Sequence, residues 1–416
     1  MLKPVGFLVL VFITFSCNGN NPGTLQTGAE QPEKYLQILQ NKKVGLVVNH
    51  TSRVGEIHLI DYLRSQQVDI VKIFAPEHGF RGDASAGEKI EDGVDSKTGI
   101  PVVSLYGENR KPTPEHLADI DMVIFDIQDV GCRFYTYIST LHLAMEACAE
   151  NGKPLMVFDR PNPNGDYVAG PVLKPEFQSF AGMHPIALVH GCTVGELARM
   201  INGENWLETD EKCELTVIPA ANYSHNMSWS LPVPPSPNLP NDLAVRLYPS
   251  LCFFEATSVS VGRGTGFPFQ VLGGLKPELG DFQFTPRSIP NAAISPLNEG
   301  KICYGVDLRQ LEKIPAFTLK FFLDFYHQYE NESEFLTRER WLNLLAGTDK
   351  LIGQIRQGST EAEIVESWQP ELEEYKQMRK KYLLYPDFTG RYGPGYDAEK
   401  PDLQKQKRGS KKHVRF

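Results

Sequence analysis

The sequence predicts an α/β protein: a mostly parallel sheet with helices on its faces, followed by a second, smaller α+β unit. Three observations carry this. Short apolar runs alternate with helically spaced segments between residues 42 and 162. Polar and ionisable residues follow each of five runs. Composition then changes after the glycine-rich stretch 259–274.

The elements read in order as follows. Val44-Gly45-Leu46-Val47-Val48 is a buried strand, and 57–67 has helical spacing through Leu59, Ile60 and Leu63. Ile70-Val71-Lys72-Ile73-Phe74, Val102-Val103-Ser104-Leu105 and Met122-Val123-Ile124-Phe125 are further strands. A helix over 138–150 stops at Asn151-Gly152, before a fifth strand, Leu155-Met156-Val157-Phe158. Strands buried on both faces read as near-continuous apolar runs, as these do. Ile186-Ala187-Leu188-Val189 follows, then a helix through Leu197 and Ile201 whose Thr193 and Glu196 have capping-box spacing. That makes capping the first job for Glu196. Residues 232–240 are proline-rich and extended, forming either a cleft wall or a bare linker. The second unit contains a strand at 302–306, a helix at 319–329 and the charged stretch 371–381.

The loop starts are the informative part. Asn49-His50-Thr51 follows the first strand, Pro76-Glu77-His78 the second and Tyr106 the third. Asp126, Gln128 and Asp129 close the fourth, and Asp159-Arg160-Pro161-Asn162 follows the fifth. In open α/β sheets this edge holds the ligand crevice. Loops are polar in any case, so the weight lies in five of them converging.

The ends and the composition bound the function. Lys3, an apolar run over 5–15 and Ser16-Cys17 read as a lipoprotein-type signal over 1–17, with Cys17 lipidated. Residues 18–35 read as a flexible tether, 36–268 as the catalytic domain and 269–404 as the smaller domain. Residues 405–416 form a basic tail, a solvated terminus first and an anionic-surface contact second. The expected location is exported and lipid-anchored, facing the periplasm. A net charge of -9 argues against a nucleic-acid surface. The 7 cysteines include no CxxC pair, which argues against a thiolate metal site. The sequence is silent on oligomeric state.

Several chemistries lack their motif. Gly262-Arg263-Gly264-Thr265-Gly266 is followed by no Gly-Lys-Ser/Thr, so it is not a P-loop. No GxGxxG follows the first strand, and no GxSxG nucleophile elbow occurs. Carboxylates and aromatics remain. Glu77 sits after a strand, between a stiffening proline and a His-Gly turn. A general acid needs a carboxyl that keeps its proton near neutrality, and rigid, partly dry surroundings provide this. The plainer reading is a carboxylate accepting a backbone bond in a tight turn. His78 orients Glu77, binds a hydroxyl or packs. The stretch 125–137 holds Asp126, Gln128, Asp129, Arg133, Tyr135 and Tyr137, which suit sugar hydroxyls and sugar faces. Its plainer reading is a strand-to-helix connection with a buried Asp–Arg pair. No HExxH or close ligand spacing supports a metal site from Glu77, His78, Asp126 and Asp129.

Five blocks in order then carry a resemblance: Pro76-Glu77-His78-Gly79-Phe80-Arg81-Gly82, the cluster 126–137, Asp159-Arg160-Pro161-Asn162-Pro163, Pro235-Ser236-Pro237-Asn238 and Gly262-Arg263-Gly264-Thr265. Together they resemble the NamZ-type exo-β-N-acetylmuramidases, over about residues 42–396. The resemblance implies a Rossmann-like N-terminal domain, a smaller C-terminal domain and an active site between them. It implies release of terminal N-acetylmuramic acid from the non-reducing end of peptidoglycan fragments, without a cofactor, and it places the catalytic glutamate at Glu77. The second catalytic group stays open among Asp126, Asp129, Glu255 and the substrate's own 2-acetamido group. The substrate-binding candidates are Asn49, His78, Gln128, Arg133, Tyr135, Asp159, Arg160, Asn162 and Arg263. Arg133, Arg160 or Arg263 is the expected partner of the lactyl carboxylate. Two alternatives stand beside this reading: a non-catalytic cell-wall-binding lipoprotein, and a metal-dependent hydrolase of another class.

Overall fold

The first apolar run, Lys43–Val48 (β1), becomes the middle of a seven-stranded sheet. The computed structural model describes residues 23–77, 79–80, 92–107 and 109–389. The expected signal segment with Cys17, His78, the Arg81-Gly82 end of its motif and the basic tail lie outside them.

Six more strands join β1: Asp69–Ala75 (β2), Gly93–Val94 (β3), Pro101–Ser104 (β4), Met122–Asp126 (β5), Leu155–Phe158 (β6) and, after a separate antiparallel pair of Ala169–Val172 (β7) and Ala187–Val189 (β8), Leu215–Ile218 (β9). The order is β9-β6-β5-β1-β2-β4-β3. Val47 pairs with Phe74 on one side and Phe125 on the other, both parallel. Only the short edge strand β3 runs antiparallel, with Val94 opposite Pro101. The chain builds outward from β1 through β2 to β4, then restarts at β5 on the other side. The carboxyl ends of β1 and β5 therefore flank the switch point where a ligand crevice opens. This is the Rossmann-like arrangement that the strand–helix alternation predicts.

The helices follow the spacing with small shifts. Leu59–Ser65 (α1) starts two residues later than read, because Ile57 pairs with Val54 in a small hairpin and the His58 ring accepts from the Ile60 N–H. Tyr137–Glu150 (α2) is buried on nearly every side. Val194–Gly203 (α3) opens with the predicted capping box: Glu196 Oε2 accepts from the Thr193 N–H at 2.9 Å. Asp242–Leu251 (α4) escapes sequence reading because it contains Pro249. That proline frees the carbonyl four residues back, at Val245, and Asn164 Nδ2 donates to it at 3.1 Å. Strand β9 is also missed, since an edge strand with alternating exposure lacks the continuous apolar signature.

The second unit pairs a three-stranded antiparallel sheet with helices, as expected. Val271–Gly274 (β10), Phe282–Phe284 (β11) and Cys303–Asp307 (β12) lie in the order β10-β12-β11. Lys320–Tyr326 (α5), Glu339–Ala346 (α6), Lys350–Arg356 (α7), Glu361–Ser367 (α8) and Gln369–Lys380 (α9) follow. A continuous apolar cluster joins Phe125 and Leu251 to Phe254, Phe322 and Leu351, so the two units share a core.

One expectation needs correction. Residues 24–35, read as part of a tether, are built against the sheet. The Gly28 N–H donates to the Asp159 carbonyl at 2.7 Å, and Tyr35 is fully buried against Phe158 at 4.4 Å between ring centroids. A Cβ on Gly28 would meet the Ile218 carbonyl oxygen at 2.3 Å, so only glycine admits this approach.

Candidate active site

Strand β2 delivers Glu77 to the sheet edge. Ala75 and Pro76 are buried, while Glu77 is half-buried and faces a cavity of about 430 Å³. Its Oε2 accepts a hydrogen bond from Thr136 Oγ1 at 3.0 Å. Thr136 is the N-cap residue of the 14-residue helix α2, so the carboxylate stands at the helix's positive end. The Tyr137 hydroxyl donates to the Glu77 carbonyl at 3.3 Å. Tyr106, just beyond β4, approaches from the other side. Burial pushes its phenol up to about 12, and the neighbouring Glu77 carboxylate adds to the effect.

Three walls close around Glu77. Phe134, Tyr135 and Tyr248 form an aromatic one, with Tyr135 edge-on to Tyr137 at 5.0 Å and to Tyr248 at 6.0 Å. The proline-rich stretch supplies Ser236, Asn238 and Leu239, and the Pro235 carbonyl accepts from the Tyr135 hydroxyl at 2.8 Å. Of its two readings, cleft wall is the one observed. The chain beyond α4 contributes Glu255, Arg263, Phe269, Trp341 and Leu345, the last three from the second unit. Arg263 follows Gly262, whose φ of 81° is a left-handed conformation suited to glycine. Its Nε and Nη2 both donate to Glu255 Oε1, at 3.0 and 2.5 Å. The rim carries Arg110, Ser179, Phe180 and Ala181.

Of the predicted residues, the cavity therefore gathers Glu77, Tyr135, Tyr137, Glu255 and Arg263. The other described candidates are used elsewhere in the fold. Asp126 is fully buried and gripped by Arg160, whose Nε and Nη2 lie 2.5 and 2.8 Å from its two oxygens. It is a buried Asp–Arg pair, but its arginine comes from the loop after β6 and not from the 125–137 stretch, whose own Arg133 pairs with no carboxylate among the described residues. Asp129 Oδ2 accepts from the Gly131 N–H at 2.6 Å, shaping the turn after β5. Asn49 Oδ1 accepts from the Thr51 N–H and hydroxyl, and Gln128 Nε2 donates to the Asp129 and Pro161 carbonyls. Asn162 ties Asn164 to Cys192. Asp159 caps α3 through the Gly195 N–H at 2.8 Å and Thr193 Oγ1 at 2.7 Å, and it accepts from the Tyr385 hydroxyl at 2.5 Å. Burial raises its carboxyl to about 6.

Arg133 is a structural clamp rather than a cavity residue. Its guanidinium donates to the carbonyls of Pro171 and Ile186 in the first unit and of Leu345 and Ala346 at the end of α6, at 2.7–3.1 Å. The last carbonyls of a helix attract a cation. Burial pulls this guanidinium down to about 9, so it stays charged at neutral pH.

Sequence reading missed Thr136, Arg110, Phe180 and Trp341, and it named Tyr106 only as a strand-end residue. Trp341 sits inside α6, where nothing local marks a site, and Thr136, at the N-cap of α2, lies within the 125–137 stretch but is not singled out there. Arg110 reads as ordinary loop charge. Among the described residues, no group of three or more His, Cys, Asp or Glu side chains is placed to hold a metal ion, and all six described cysteines are buried and unpaired with one another. A smaller, flatter hollow of about 280 Å³ near Arg199 and Tyr382 contains none of the predicted residues.

Comparison with known proteins bears on this geometry. Residues 44–243 match the family described as "Exo-beta-N-acetylmuramidase NamZ, N-terminal", and residues 246–385 match its C-terminal counterpart. The chain is 35% identical over 410 residues to the "Peptidoglycan beta-N-acetylmuramidase NamZ" of Bacillus subtilis (strain 168), covering 91% of this chain and 97% of that one. Two crystal structures of DUF1343 family proteins from Bacteroides fragilis NCTC 9343 are also similar. One has a TM-score of 0.81 at 44% identity, covering 88% of this chain and 99% of its own. The other has a TM-score of 0.75 at 30% identity, covering 87% and 99%.

Proposed function

The chain belongs to the NamZ family of exo-β-N-acetylmuramidases and is a glycoside hydrolase, and from that premise we propose that it releases terminal N-acetylmuramic acid from the non-reducing end of peptidoglycan-derived MurNAc-GlcNAc saccharides, with Glu77 as the general acid. The observation that carries the assignment is the seating of Glu77. It is the acidic side chain fixed by Thr136 and flanked by Tyr106 in a cavity walled by tyrosines.

In this reading the protonated Glu77 carboxyl donates its proton to the glycosidic oxygen as the bond to the anomeric carbon breaks. The leaving sugar departs as a neutral alcohol, and Glu77, now a carboxylate, takes a proton from the water that completes hydrolysis. The attack on the anomeric carbon is assigned to the substrate's own 2-acetamido oxygen. Asp126 and Asp129 are buried in fold-building contacts, and Glu255 is engaged by Arg263. Acetamido participation predicts retention of anomeric configuration. Tyr135 and Trp341 supply the flat faces a sugar ring packs on.

We also propose that the protein is exported and held to a bacterial membrane through a lipid on Cys17, which the sequence pattern supports. Cys17→Ala protein recovered in the soluble fraction is the expected outcome, and unchanged membrane association is the outcome against it.

The test of the activity uses a chromogenic β-N-acetylmuramide and a MurNAc-GlcNAc disaccharide, with products and first-formed anomer followed by NMR. The wild type is expected to release N-acetylmuramic acid as the β-anomer. Glu77→Gln is expected to lose roughly 100-fold or more in kcat while keeping its melting temperature. A folded Glu77→Gln protein with undiminished turnover overturns the assignment of Glu77.

A further inference from the structure

Four arginines compete for the anionic part of the substrate, and their surroundings separate them. Arg133 is spent on four backbone carbonyls. Arg160 is closed against Asp126, with 3% of its surface exposed. Arg263 lines the cavity, but Glu255 already neutralises it. The fourth is Arg110, on the cavity rim and exposed.

Arg110 is held but not neutralised. Its Nε donates to the Gly107 carbonyl at 3.1 Å, and its guanidinium lies over the Phe180 ring at 4.3 Å from the centroid. The stack and the single Nε contact fix the plane of the group. Among the described residues neither Nη atom has a hydrogen-bond partner, and no carboxylate pairs with it. A planar guanidinium held by its Nε and its face presents two parallel N–H donors, the geometry that matches a carboxylate. Ser179, beside Phe180, makes an independent point. Its Oγ is buried, its side chain lines the same cavity, and among the described residues it has no hydrogen-bond partner. Its main chain is fixed by mutual 2.9 Å bonds with Gly182. A buried hydroxyl left unpaired is costly unless a bound group completes it.

We infer that Arg110, with Ser179, is the carboxylate-recognition site of the cavity and reads the acidic substituent that distinguishes muramic acid from an uncharged amino sugar. This rests on the muramidase reading and names the residue through which that reading selects its substrate. Apposition of Arg110 to Phe180 alone, as a cover for an apolar ring, accounts for the stack. It does not account for the unpaired Ser179 hydroxyl.

The experiment is calorimetric binding of N-acetylmuramic acid and of its lactyl methyl ester to the wild type, Arg110→Gln, Arg110→Lys and Arg263→Gln, with turnover of the chromogenic muramide measured in parallel. The wild type is expected to bind the acid on the order of 30-fold more tightly than the ester, the size of a charge-assisted pair. Arg110→Gln is expected to bring that ratio close to one, and Arg110→Lys to restore part of it. A ratio that survives Arg110→Gln, or that collapses in Arg263→Gln instead, overturns the inference. So does a wild type that binds acid and ester equally. Loss of turnover in every protein, with the acid preference intact, counts against the enzymatic mechanism and leaves the carboxylate site standing.

Discussion

Thr136 Oγ1 donates to Glu77 Oε2 at 3.0 Å across 59 residues of sequence, joining the start of α2 to the end of β2. Thr136 occupies the N-cap position yet makes no side-chain cap bond to its own helix. Its hydroxyl is used on Glu77 instead. Thr136→Val should therefore lower kcat by about 10-fold or more, the worth of one hydrogen bond to a charged group. KM and melting temperature should change little. A variant that loses stability but not kcat would place Thr136 in the fold rather than the site.

Asp126 and Arg160 make the opposite kind of pair, sealed inside the fold. Asp126→Ala leaves the Arg160 charge buried without its counter-ion and should cost about 3–5 kcal/mol. Urea denaturation measures this directly. Replacing both residues by apolar ones of similar size should cost less than Asp126→Ala alone, because no lone charge remains. A double replacement as damaging as the single one would show that the contact itself, rather than the stranded charge, sets the cost.

Arg133 is expected to behave as a clamp between the units. Arg133→Met removes the donors from four buried carbonyls and should cost more than about 3 kcal/mol. Arg133→Lys keeps a charge but presents it as a point, so it should recover only part of the loss. Thermal melts of the two variants decide the order. A Lys variant no better than Met would mean that the fork geometry carries the whole effect.

Asp159 links stability to pH. Its folded carboxyl is raised to about 6 by burial, above the usual carboxylate value. The folded state therefore holds this proton more tightly than the unfolded chain does. The stabilising contribution is full below the unfolded value near 4 and is lost as pH rises through about 6. Relative to Asp159→Asn, which cannot titrate, the wild type should lose up to about 3 kcal/mol between pH 4 and 7. Parallel denaturation curves at pH 4, 5, 6 and 7 test this. A difference that is flat, or that grows with pH, contradicts it.

The strand-end pattern located the crevice edge correctly but did not rank the residues on it. Asp126, Asp129 and Asp159 all follow strands, as Glu77 does. One is ion-paired, one shapes a turn, one caps a helix, and only Glu77 faces the cavity. Locally these jobs need the same residue types, so no spacing rule separates them. Trp341 enters from the second unit and Arg263 from the stretch just before it, and the order of residues along the chain brings neither near Glu77. Pro249 hid α4 because the compensating donor, Asn164, lies 81 residues away from the freed carbonyl.

By itself the sequence determined the alternating architecture, the parallel core strands, the α3 capping box and, through five ordered blocks, the family. These are properties of periodicity and short-range spacing, and such patterns survive without knowledge of what packs on what. Only the tertiary structure decided which charges are spent. Arg133, Arg160 and Asp126 look functional in the chain and are sealed inside the fold, while Arg110 looks like loop charge and sits on the rim. The physical reason is that the state of an ionisable group depends on desolvation and partners, and both are set by residues distant in sequence.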